Sequence, residues 1–338
     1  MQKYNKKTAI LTGGAGFIGA HVVSYLLEKT DWDIIVLDRY DTSGNLNRLA
    51  VVVPEGQKHR VKVVYHDLKA AINEFTSKAI GEVDYIIHLA ASTHVDRSIQ
   101  DPMSFVMDNV VGTTNLLIWA KDGGLSKNGL FILFSTDEVM GPAPVGYAHK
   151  EGDPHRPSNP YSASKSGSEA MAYSFFVTYG LPVIITRTMN NLGQMQHCEK
   201  LVPKTIRSVV KGIPMPIFAQ LNDKGELEAI GSRFWLHCRN TASAVLFLLN
   251  KGTAGETYNI IGFDELTNLE MAEKIAKIVG KPLIPQLVDF HKVRSGHDRR
   301  YAIDGAKICG MGWKPEIDFD VALKETVEWT LAHPEWLF

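Results

Sequence analysis

Short runs of β-branched and other apolar residues alternate with longer segments of helical periodicity over the first 190 residues. These strand-like runs span residues 8–12, 34–38, 61–65, 83–89, 130–134 and 182–186. Parallel strands need crossover connections, and helices supply them. The alternation therefore predicts an α/β fold, a Rossmann-like doubly wound parallel sheet with helices on both faces.

The chain has 338 residues, of which 45% are hydrophobic, which suits one large α/β domain or two domains that share a cleft. After about residue 190 the alternation stops, and prolines and a polar stretch over 221–231 indicate a smaller lobe with irregular segments. One further strand-like run, 257–261, is expected to return to the first sheet. We therefore predict one lobe over 1–190 and a second, discontinuous lobe over 191–338.

Charge and cysteine content narrow the classes of partner. Thirty-six basic and 37 acidic side chains give a formal charge of -1, so the basic surface that non-specific nucleic-acid binding requires is missing. Cys198, Cys238 and Cys309 are far apart and odd in number, which favours free thiols in a reducing compartment. No apolar run approaches the length of a membrane span. We expect a cytosolic protein that binds neither nucleic acid nor a membrane.

A glycine-rich segment, TGGAGFIG, lies between the first predicted strand and the first predicted helix. Gly14, Gly16 and Gly19 match the spacing G-x-G-x-x-G, in which glycine permits a tight turn and lets a pyrophosphate approach the helix N-terminus. An ordinary glycine-rich turn is the alternative. Asp38 ends the second strand 19 residues after Gly19, where an acid that binds the adenosine ribose is expected. A carboxylate there repels a 2′-phosphate, so we predict a dinucleotide site that takes NAD rather than NADP.

Asp67 ends the third predicted strand. At this edge of the sheet its carboxylate could accept a hydrogen bond from the adenine amino group. A turn residue at a strand end is the alternative reading.

A second constellation follows the fifth predicted strand. The segment STDEVMG begins at Ser135, and Tyr161 and Lys165 stand one helical turn apart in YSASK. Such a pair is common on solvated helix surfaces, but residues after strand five arrive at the carboxyl edge, where doubly wound sheets bind ligands. A lysine beside a phenol favours the phenolate, which makes Tyr161 a candidate base. Thr136, Asp137 and Glu138 add one hydroxyl and two carboxylates, enough for separate acid and base roles.

With these motifs the chain resembles the extended short-chain dehydrogenase/reductase superfamily and, within it, the dTDP-glucose 4,6-dehydratases. The similarity runs over nearly the whole length. Its motifs are TGGAGFIG, GNLNRL, HLAASTHVDRSI, NVVGT, STDEV, NPYSASK, NNLG with EKLVP, and GHDRRYAID. STDEV together with the late GHDRRYAID is more specific than the glycine motif, because most relatives that epimerise or reduce nucleotide sugars lack the acidic pair after the threonine.

The resemblance implies a chemical role for each residue of the second constellation. Tyr161 removes the proton of the sugar C4 hydroxyl as the hydride passes to NAD, Lys165 lowers the tyrosine pKa and holds the nicotinamide ribose, and Thr136 hydrogen-bonds the C4 oxygen. Glu138 then removes the C5 proton, and Asp137 protonates the departing C6 hydroxyl. The hydride returns to C6 as Glu138 reprotonates C5, which leaves a 4-keto-6-deoxy nucleotide sugar and regenerates NAD.

The resemblance also marks candidate binding residues. Those for the cofactor are Gly13, Gly16, Phe17, Ile18, Gly19, Asp38, Asp67, Leu68, Leu89, Ala90, Ala91, Tyr161, Lys165 and Asn191. Those for the substrate are Thr93, Thr136, Asn190, Lys200, Leu201, Arg233, Asn268, His297, Arg300 and Tyr301. Arg233 is the expected phosphate clamp because its planar fork matches that anion. For the last four, surface or packing roles are the alternative.

Four positions depart from the family pattern. Met140 stands where the family has a tyrosine, Leu192 and Gln194 replace an aromatic residue and a proline, and Ser92 replaces a glutamate. The turn before Arg233 is also expanded, into LNDKGELEAIGS. We expect these changes to flank the sugar and nucleotide pockets, where they affect the choice of substrate before the chemistry.

Three histidines, His88, His149 and His155, do not have ligand spacing on a helix, so no metal site is expected.

Two apolar stripes lie on the helices after strands four and five. They consist of Leu116, Leu117 and Trp119, and of Met171, Phe175 and Phe176. An intrachain core is the ordinary explanation of such stripes. In relatives these two helices pair with their copies, so a homodimer that buries both stripes is expected.

Three functions remain open at this point. The first is an NAD-dependent nucleotide-sugar 4,6-dehydratase acting on a glucose nucleotide, with dTDP-glucose the expected substrate. The second is an epimerase or decarboxylase, which needs Tyr161 and Lys165 but not Asp137 and Glu138. The third is a non-catalytic dinucleotide-binding protein, which has no reason to keep Thr136, Tyr161 and Lys165 together.

Overall fold

The computed structural model describes residues 6–41, 43–289 and 300–337. Its strands, in chain order, are β1 (Thr8–Thr12), β2 (Asp33–Asp38), β3 (Val61–Tyr65), β4 (Val83–His88), β5 (Leu125–Thr136), β6 (Val183–Thr188), β7 (Asn190–Leu192), β8 (Met215–Leu221), β9 (Leu227–Ala229), β10 (Ser232–His237), β11 (Thr257–Ile260), β12 (Asp264–Thr267) and β13 (Pro285–Asp289).

The α-helices of the described residues are α1 (Phe17–Lys29), α2 (Leu46–Val52), α3 (Glu74–Ile80), α4 (Val95–Gln100), α5 (Pro102–Phe105), α6 (Gly112–Trp119), α7 (Pro160–Tyr179), α8 (Leu201–Lys211), α9 (Cys238–Lys251), α10 (Asn268–Val279), α11 (Ala306–Gly310) and α12 (Phe319–Ala332). A wide, π-type turn over Val106–Val111 joins α5 to α6, and a second one, Ala120–Gly124, follows α6. Short 3₁₀ turns span Glu55–Arg60, Asp137–Met140 and Pro334–Leu337.

The main sheet has seven strands in the order β11-β6-β5-β4-β1-β2-β3, and all of its neighbours pair in parallel. Its two faces are both covered, as β5 shows: Phe131 and Leu133 pack into one core and Ile132 and Phe134 into the other. Burial on both faces explains why these strands read as continuous apolar runs. The predicted Rossmann-like doubly wound fold is confirmed.

Strand order reverses between β1 and β4, the first strands of the two halves of the sheet. At such a reversal the loops from the carboxyl ends of the strands diverge, which opens a crevice for a ligand. The crevice is closed by two small sheets, β12-β10-β7 and β13-β8-β9. The expanded segment before Arg233 is more regular than the sequence suggested, because Leu227–Ala229 pairs with β8 across a turn that Asn222 stabilises.

The late strand β11 pairs in parallel with β6 at the edge of the main sheet, where the sequence suggests that a strand returns. The division into lobes at residue 190 stays a prediction. None of the helices in the described part of the chain is long and apolar enough to cross a membrane.

The two apolar stripes have a different role from the one expected. Leu116, Leu117, Trp119 and Phe175 are buried in the chain's own core, and Trp119 Nε1 donates to Ser77 Oγ at 2.9 Å. Met171 and Phe176 are half-buried against the same core. The prediction that these side chains face a partner is therefore wrong, and the intrachain alternative is correct. These helices and the turn before α6 do expose other apolar side chains, among them Met107, Ile118, Tyr173 and Val177.

Candidate active site

The glycine turn brings the start of α1 close to the sheet. Gly13 has a positive φ of 68°, and a Cβ there would lie 2.8 Å from the backbone nitrogen of Ala90. A Cβ on Gly19 would lie 2.2 Å from the Gly13 carbonyl oxygen. The first turn of α1 contains no acidic residue and no side chain caps it. Its free N–H groups and positive dipole end therefore fit a pyrophosphate.

Asp38 ends β2 beside this turn. Its carboxylate accepts from the backbone N–H groups of Ala15, at 3.1 Å, and Tyr40, at 3.0 Å. Burial raises the pKa of Asp38, and the two N–H donors oppose that effect. The carboxylate is thus fixed at the place where the sequence predicts a ribose.

A cleft of about 1360 Å³ runs from the glycine turn across the ends of β4 and β5 to the small sheets. All the predicted cofactor and catalytic residues line it, and so do all the predicted substrate residues that the structure describes except Arg300. His297 lies outside the described residues. Residues that are as far apart in sequence as Gly13 and Tyr301 therefore share one cavity.

Thr136 is the last residue of β5, and it organises the acidic pair that follows. Its Oγ1 donates to Asp137 Oδ1 at 3.0 Å and accepts from the Glu138 N–H at 3.3 Å. Asp137 is 4% exposed. Burial, and then the neighbouring charge of Glu138, raise the pKa of Asp137 to about 7. A carboxyl group in this state still holds its proton near neutral pH and can act as a general acid.

Glu138 is oriented by two polar side chains. Its Oε2 accepts from Asn159 Nδ2 and from the Tyr301 hydroxyl, both at 3.4 Å. Neighbouring carboxylates in different surroundings can divide acid and base roles between them. Glu138 is thus placed to serve as the base beside the more deeply buried Asp137.

The start of α7 fixes Tyr161 and Lys165. Asn159 caps the helix, with a reciprocal bond from Ser162, and Pro160 occupies the first turn, a combination that fixes the helix start. Residues four apart share a face of a helix, so both side chains point into the cleft. Lys165 Nζ donates to the Phe134 carbonyl at 2.6 Å, and burial lowers its pKa to about 8.

Burial, and next the charge of Glu138, raise the pKa of Tyr161 above its ordinary value. The loss of water around the phenol opposes the effect expected of Lys165, whose lowering of the tyrosine pKa stays a prediction. A positive charge near the phenol would favour the phenolate.

On β10, Arg233 is 5% exposed, and its guanidinium lies 4.6 Å from the centre of the Tyr301 ring. Asn191 is held by Thr241, whose hydroxyl donates to Asn191 Oδ1 at 2.5 Å. Arg300 instead pairs with Glu265 at 2.6 and 3.0 Å and donates to the carbonyls of Pro144 and Tyr147. It ties β12 to the loop after the acidic pair, so for Arg300 the structure supports the packing alternative.

Three of the four departures from the family pattern do not line the cleft themselves. Met140 and Leu192 are buried in hydrophobic clusters, and the Gln194 carbonyl contacts the ring of His21 at 3.0 Å. Only Ser92 lines the cleft, where its hydroxyl donates to Asp108 at 2.5 Å. Ser92 therefore lines the cleft directly, whereas Met140 and Leu192 flank it, since they pack behind the lining residues Met189 and Trp235.

Sequence reasoning missed two groups. In the cleft, the carboxylate of Glu199 contacts His94 at 3.0 Å and Arg97 at 3.4 Å. His94 and Arg97 could have been found from the sequence, because the run after β4 lies at the same carboxyl edge of the sheet as the acidic pair. Behind Lys165, Glu169 and Arg187 form an ion pair with both side chains at most 4% exposed, and the shortest contact is 2.8 Å.

The described residues contain no group of three His, Cys, Asp or Glu side chains that could hold a metal ion. Both ring nitrogens of the buried His88 contact hydroxyl groups, those of Thr12 at 2.6 Å and Thr113 at 2.9 Å. His88 therefore braces β4 against its neighbours.

A seven-stranded parallel sheet, a glycine turn with an acid at the end of β2, and a tyrosine and a lysine at the carboxyl edge define the extended short-chain dehydrogenase/reductase class. Within this class the chain belongs to the GDP-mannose 4,6 dehydratase family, whose model matches residues 10–326.

Individual relatives agree with this assignment. The chain is 38% identical to the low-salt glycan biosynthesis protein Agl12 of Haloferax volcanii, over 96% of this chain and 99% of that protein. It is also 38% identical to a dTDP-glucose 4,6-dehydratase of Haemophilus influenzae, over 95% and 97%. Among solved structures it resembles DesIV, the dTDP-glucose 4,6-dehydratase of Streptomyces venezuelae with NAD and TYD bound, with a TM-score of 0.87, 36% identity, and 97% and 98% of the two chains covered.

Proposed function

We propose that the protein is an NAD-dependent nucleotide-sugar 4,6-dehydratase. It converts an NDP-glucose, with dTDP-glucose the expected substrate, to the NDP-4-keto-6-deoxy sugar. The observation that carries the proposal is the position of Asp137 and Glu138 in the same cleft as Tyr161 and Lys165. The relatives that are dTDP-glucose 4,6-dehydratases support it over nearly the whole chain.

The chain's own residues fit NAD. The turn over 13–19 would hold the pyrophosphate, Asp38 and Asp67 the adenosine, and Lys165 and Asn191 the nicotinamide half. Bound NAD supplies a hydride acceptor for the first step, a donor for the last, and a positive charge beside the phenol.

In this reading each side chain has one task. Tyr161 takes the proton of the C4 hydroxyl, and the charge of Lys165 stabilises the phenolate. In the free protein Thr136 keeps the acidic pair in place, and its one hydroxyl proton turns from Asp137 to the C4 oxygen when the sugar binds. The C4 ketone acidifies the C5 hydrogen, which Glu138 removes; once C6 has been reduced, Glu138 returns a proton to C5. Asp137 gives its proton to the C6 hydroxyl, which leaves as water, and its pKa of about 7 suits a donor at neutral pH.

Nucleotide-sugar binding is assigned mainly to the lobe over 191–338, through Lys200, Leu201, Arg233, Asn268 and Tyr301, with Thr93 and Asn190 from the first lobe. Arg233 is the diphosphate clamp, because its fork fits that anion and its burial strengthens the contact. His297, which lies outside the described residues, keeps only its sequence-based assignment, and Arg300 is given a packing role instead.

Deuterium incorporation tests the dehydration. Turnover of dTDP-glucose in heavy water should place deuterium at C5 of a product that is lighter than the substrate by one water. Glu138→Gln keeps the shape but removes the base, so C5 abstraction should fall by about 10²–10⁴-fold. Reduced cofactor should still accumulate, because the first step depends on Tyr161, and its absorbance reports this.

The matched control is Glu273→Gln, which removes an exposed carboxylate on α10 and should leave turnover unchanged. Full activity of Glu138→Gln would refute the assignment. A parent product of unchanged mass, without deuterium at C5, would indicate an epimerase instead. Loss of carbon dioxide would indicate a decarboxylase, and nucleotide binding without turnover would indicate a non-catalytic protein.

We further propose that the protein is a cytosolic homodimer. Met107, Ile118, Tyr173 and Val177 give α6, α7 and the turn before α6 an apolar surface, and each of these residues is at least 37% exposed. A second copy that pairs the same helices would bury this surface in an isologous interface. The cytosolic location follows from three cysteines that form no disulfide within the chain.

A further inference from the structure

Arg39 follows Asp38 directly and lines the end of the cleft that Asp38 and Asp67 form. Its guanidinium is bound on two sides. Nη1 and Nη2 donate to the two carboxylate oxygens of Asp108, at 2.6 and 2.9 Å, and Nε donates to Asp41 at 2.7 Å. Such a bidentate contact fixes the plane of the guanidinium as well as its position.

Asp108 is itself held in place. It lies on the wide turn over Val106–Val111, its side chain is 9% exposed, and Ser92 Oγ donates to its Oδ2 at 2.5 Å. Burial alone would raise the pKa of Asp108, but the hydrogen bonds from Arg39 and Ser92 lower it below the ordinary value. The carboxylate therefore stays charged at neutral pH and keeps its hold on Arg39.

An arginine next to the ribose-binding acid is the group that accommodates a 2′-phosphate in NADP-dependent Rossmann proteins. Here the ion-paired cluster around Arg39 contains three carboxylates, those of Asp41, Asp67 and Asp108, against Arg39 and Lys69. Asp38 adds another carboxylate beside it. A phosphate that enters this end of the cleft meets excess negative charge and an arginine whose fork is already engaged.

Arg48, the other arginine near Asp38, is not available to bind a 2′-phosphate. Arg48 is 3% exposed and donates to the backbone carbonyls of Ala15, Ser43 and Met195. Its guanidinium holds the loop after β2 together. Of these two arginines, Arg39 is therefore the one whose position decides whether a 2′-phosphate can be bound.

We propose that Asp108 is a positioning residue that selects NAD over NADP by holding the Arg39 guanidinium away from a 2′-phosphate. The proposal rests on the proposed NAD function and assigns its specificity to a pair of residues, in addition to Asp38. Ser92 supports the same arrangement through its hydrogen bond to Asp108.

A competition experiment tests this on the full-length protein. Each variant is equilibrated with equal concentrations of NAD and NADP, desalted rapidly, and the nucleotides that it retains are quantified by liquid chromatography. Asp108→Asn keeps the shape and removes the charge, so Arg39 is released to bind the phosphate. The retained NADP:NAD ratio should rise at least about tenfold, the effect of one charge-assisted hydrogen bond gained. A loss of packing alone would weaken the binding of both nucleotides and leave the NADP:NAD ratio unchanged.

Two further variants identify the cause. Arg39→Met with Asp108→Asn should return the ratio to the parent value within about twofold, because no guanidinium remains to bind the phosphate. Asp122→Asn removes a carboxylate on the turn after α6, away from the cleft, and should not change the ratio.

An unchanged ratio in Asp108→Asn, with NAD still bound, overturns the specificity proposal and leaves the proposed function intact. A raised ratio that persists without Arg39 overturns it as well, because Asp108 would then act by its own charge. A parent protein that retains neither nucleotide overturns the specificity proposal and the proposed function together. If Asp108→Asn does not fold, Ser92→Ala should raise the ratio in the same direction, and no rise there counts against the proposal.

Discussion

Replacing Asp137 by asparagine should stabilise the folded protein at pH 8 and abolish turnover at the same time. Asparagine has the shape of aspartate, and its carbonyl oxygen can still accept from Thr136 Oγ1, as Asp137 does at 3.0 Å. What it removes is a carboxylate that must ionise inside the protein, 4% exposed and beside Glu138. Replacing the residue on which the chemistry depends is thus expected to increase the stability of the folded protein.

The size of the gain follows from the pKa of Asp137, which burial raises from 3.8 to about 7. The folded state holds the proton more tightly than the unfolded chain, so stability is highest below the unfolded pKa and is lost as the pH rises through the folded one. Above pH 7 the loss in the parent protein amounts to about 4 kcal/mol. The variant, which has no proton to lose, should avoid it.

Urea unfolding followed by tryptophan fluorescence at pH 5 and pH 8 measures the effect. The advantage of Asp137→Asn should be larger at pH 8 than at pH 5 by roughly 2–3 kcal/mol. Asp223→Asn, at an exposed position in the turn between β8 and β9, is the matched control and should show no such difference. Equal advantages at the two pH values would refute the reasoning, and so would a variant less stable than the parent at pH 8.

Two further predictions concern the core and the assembly. Arg187→Met removes the guanidinium from the buried carboxylate of Glu169 and leaves it the contact with His155 at 3.3 Å, so the free energy of unfolding in urea should fall by up to about 3–5 kcal/mol, and much less when Glu169→Gln is added; an unchanged unfolding midpoint would contradict this. Val177→Asp should convert the proposed homodimer to a monomer in light scattering, while Val145→Asp, at a position 94% exposed, should not; a monomeric parent at micromolar concentration would count against the dimer.

The main sheet and most of the cleft could be predicted because their signals are local. The apolar run of β5 ends at Thr136, and the cap at Asn159 begins the helix that carries Tyr161. In a parallel sheet the ends of the strands converge at one edge, so a residue's place at a strand end already gives its place in the site. Asp38 could be located in the same way.

The remaining features depend on packing between distant segments. An apolar stripe shows that a helix has a buried face but not what covers it, and so Trp119 was assigned to an interface although it packs inside the chain. The contact between Arg39 and Asp108 joins residues 69 positions apart, and no motif contains both. The pKa of Tyr161 depends on how completely water is excluded from the cleft, which follows from the whole fold.

The place of β11 has a consequence for synthesis of the protein on the ribosome. The edge of β6 is covered only when Thr257–Ile260 pairs with it, about 70 residues after β6 itself ends. At a translation rate of 5–20 residues per second, this edge stays open for roughly 4–14 seconds in each nascent chain. An unpaired strand edge is a template for association with other chains. Slower translation between β6 and β11 should therefore lower the yield of native protein, even though the finished molecule is unchanged.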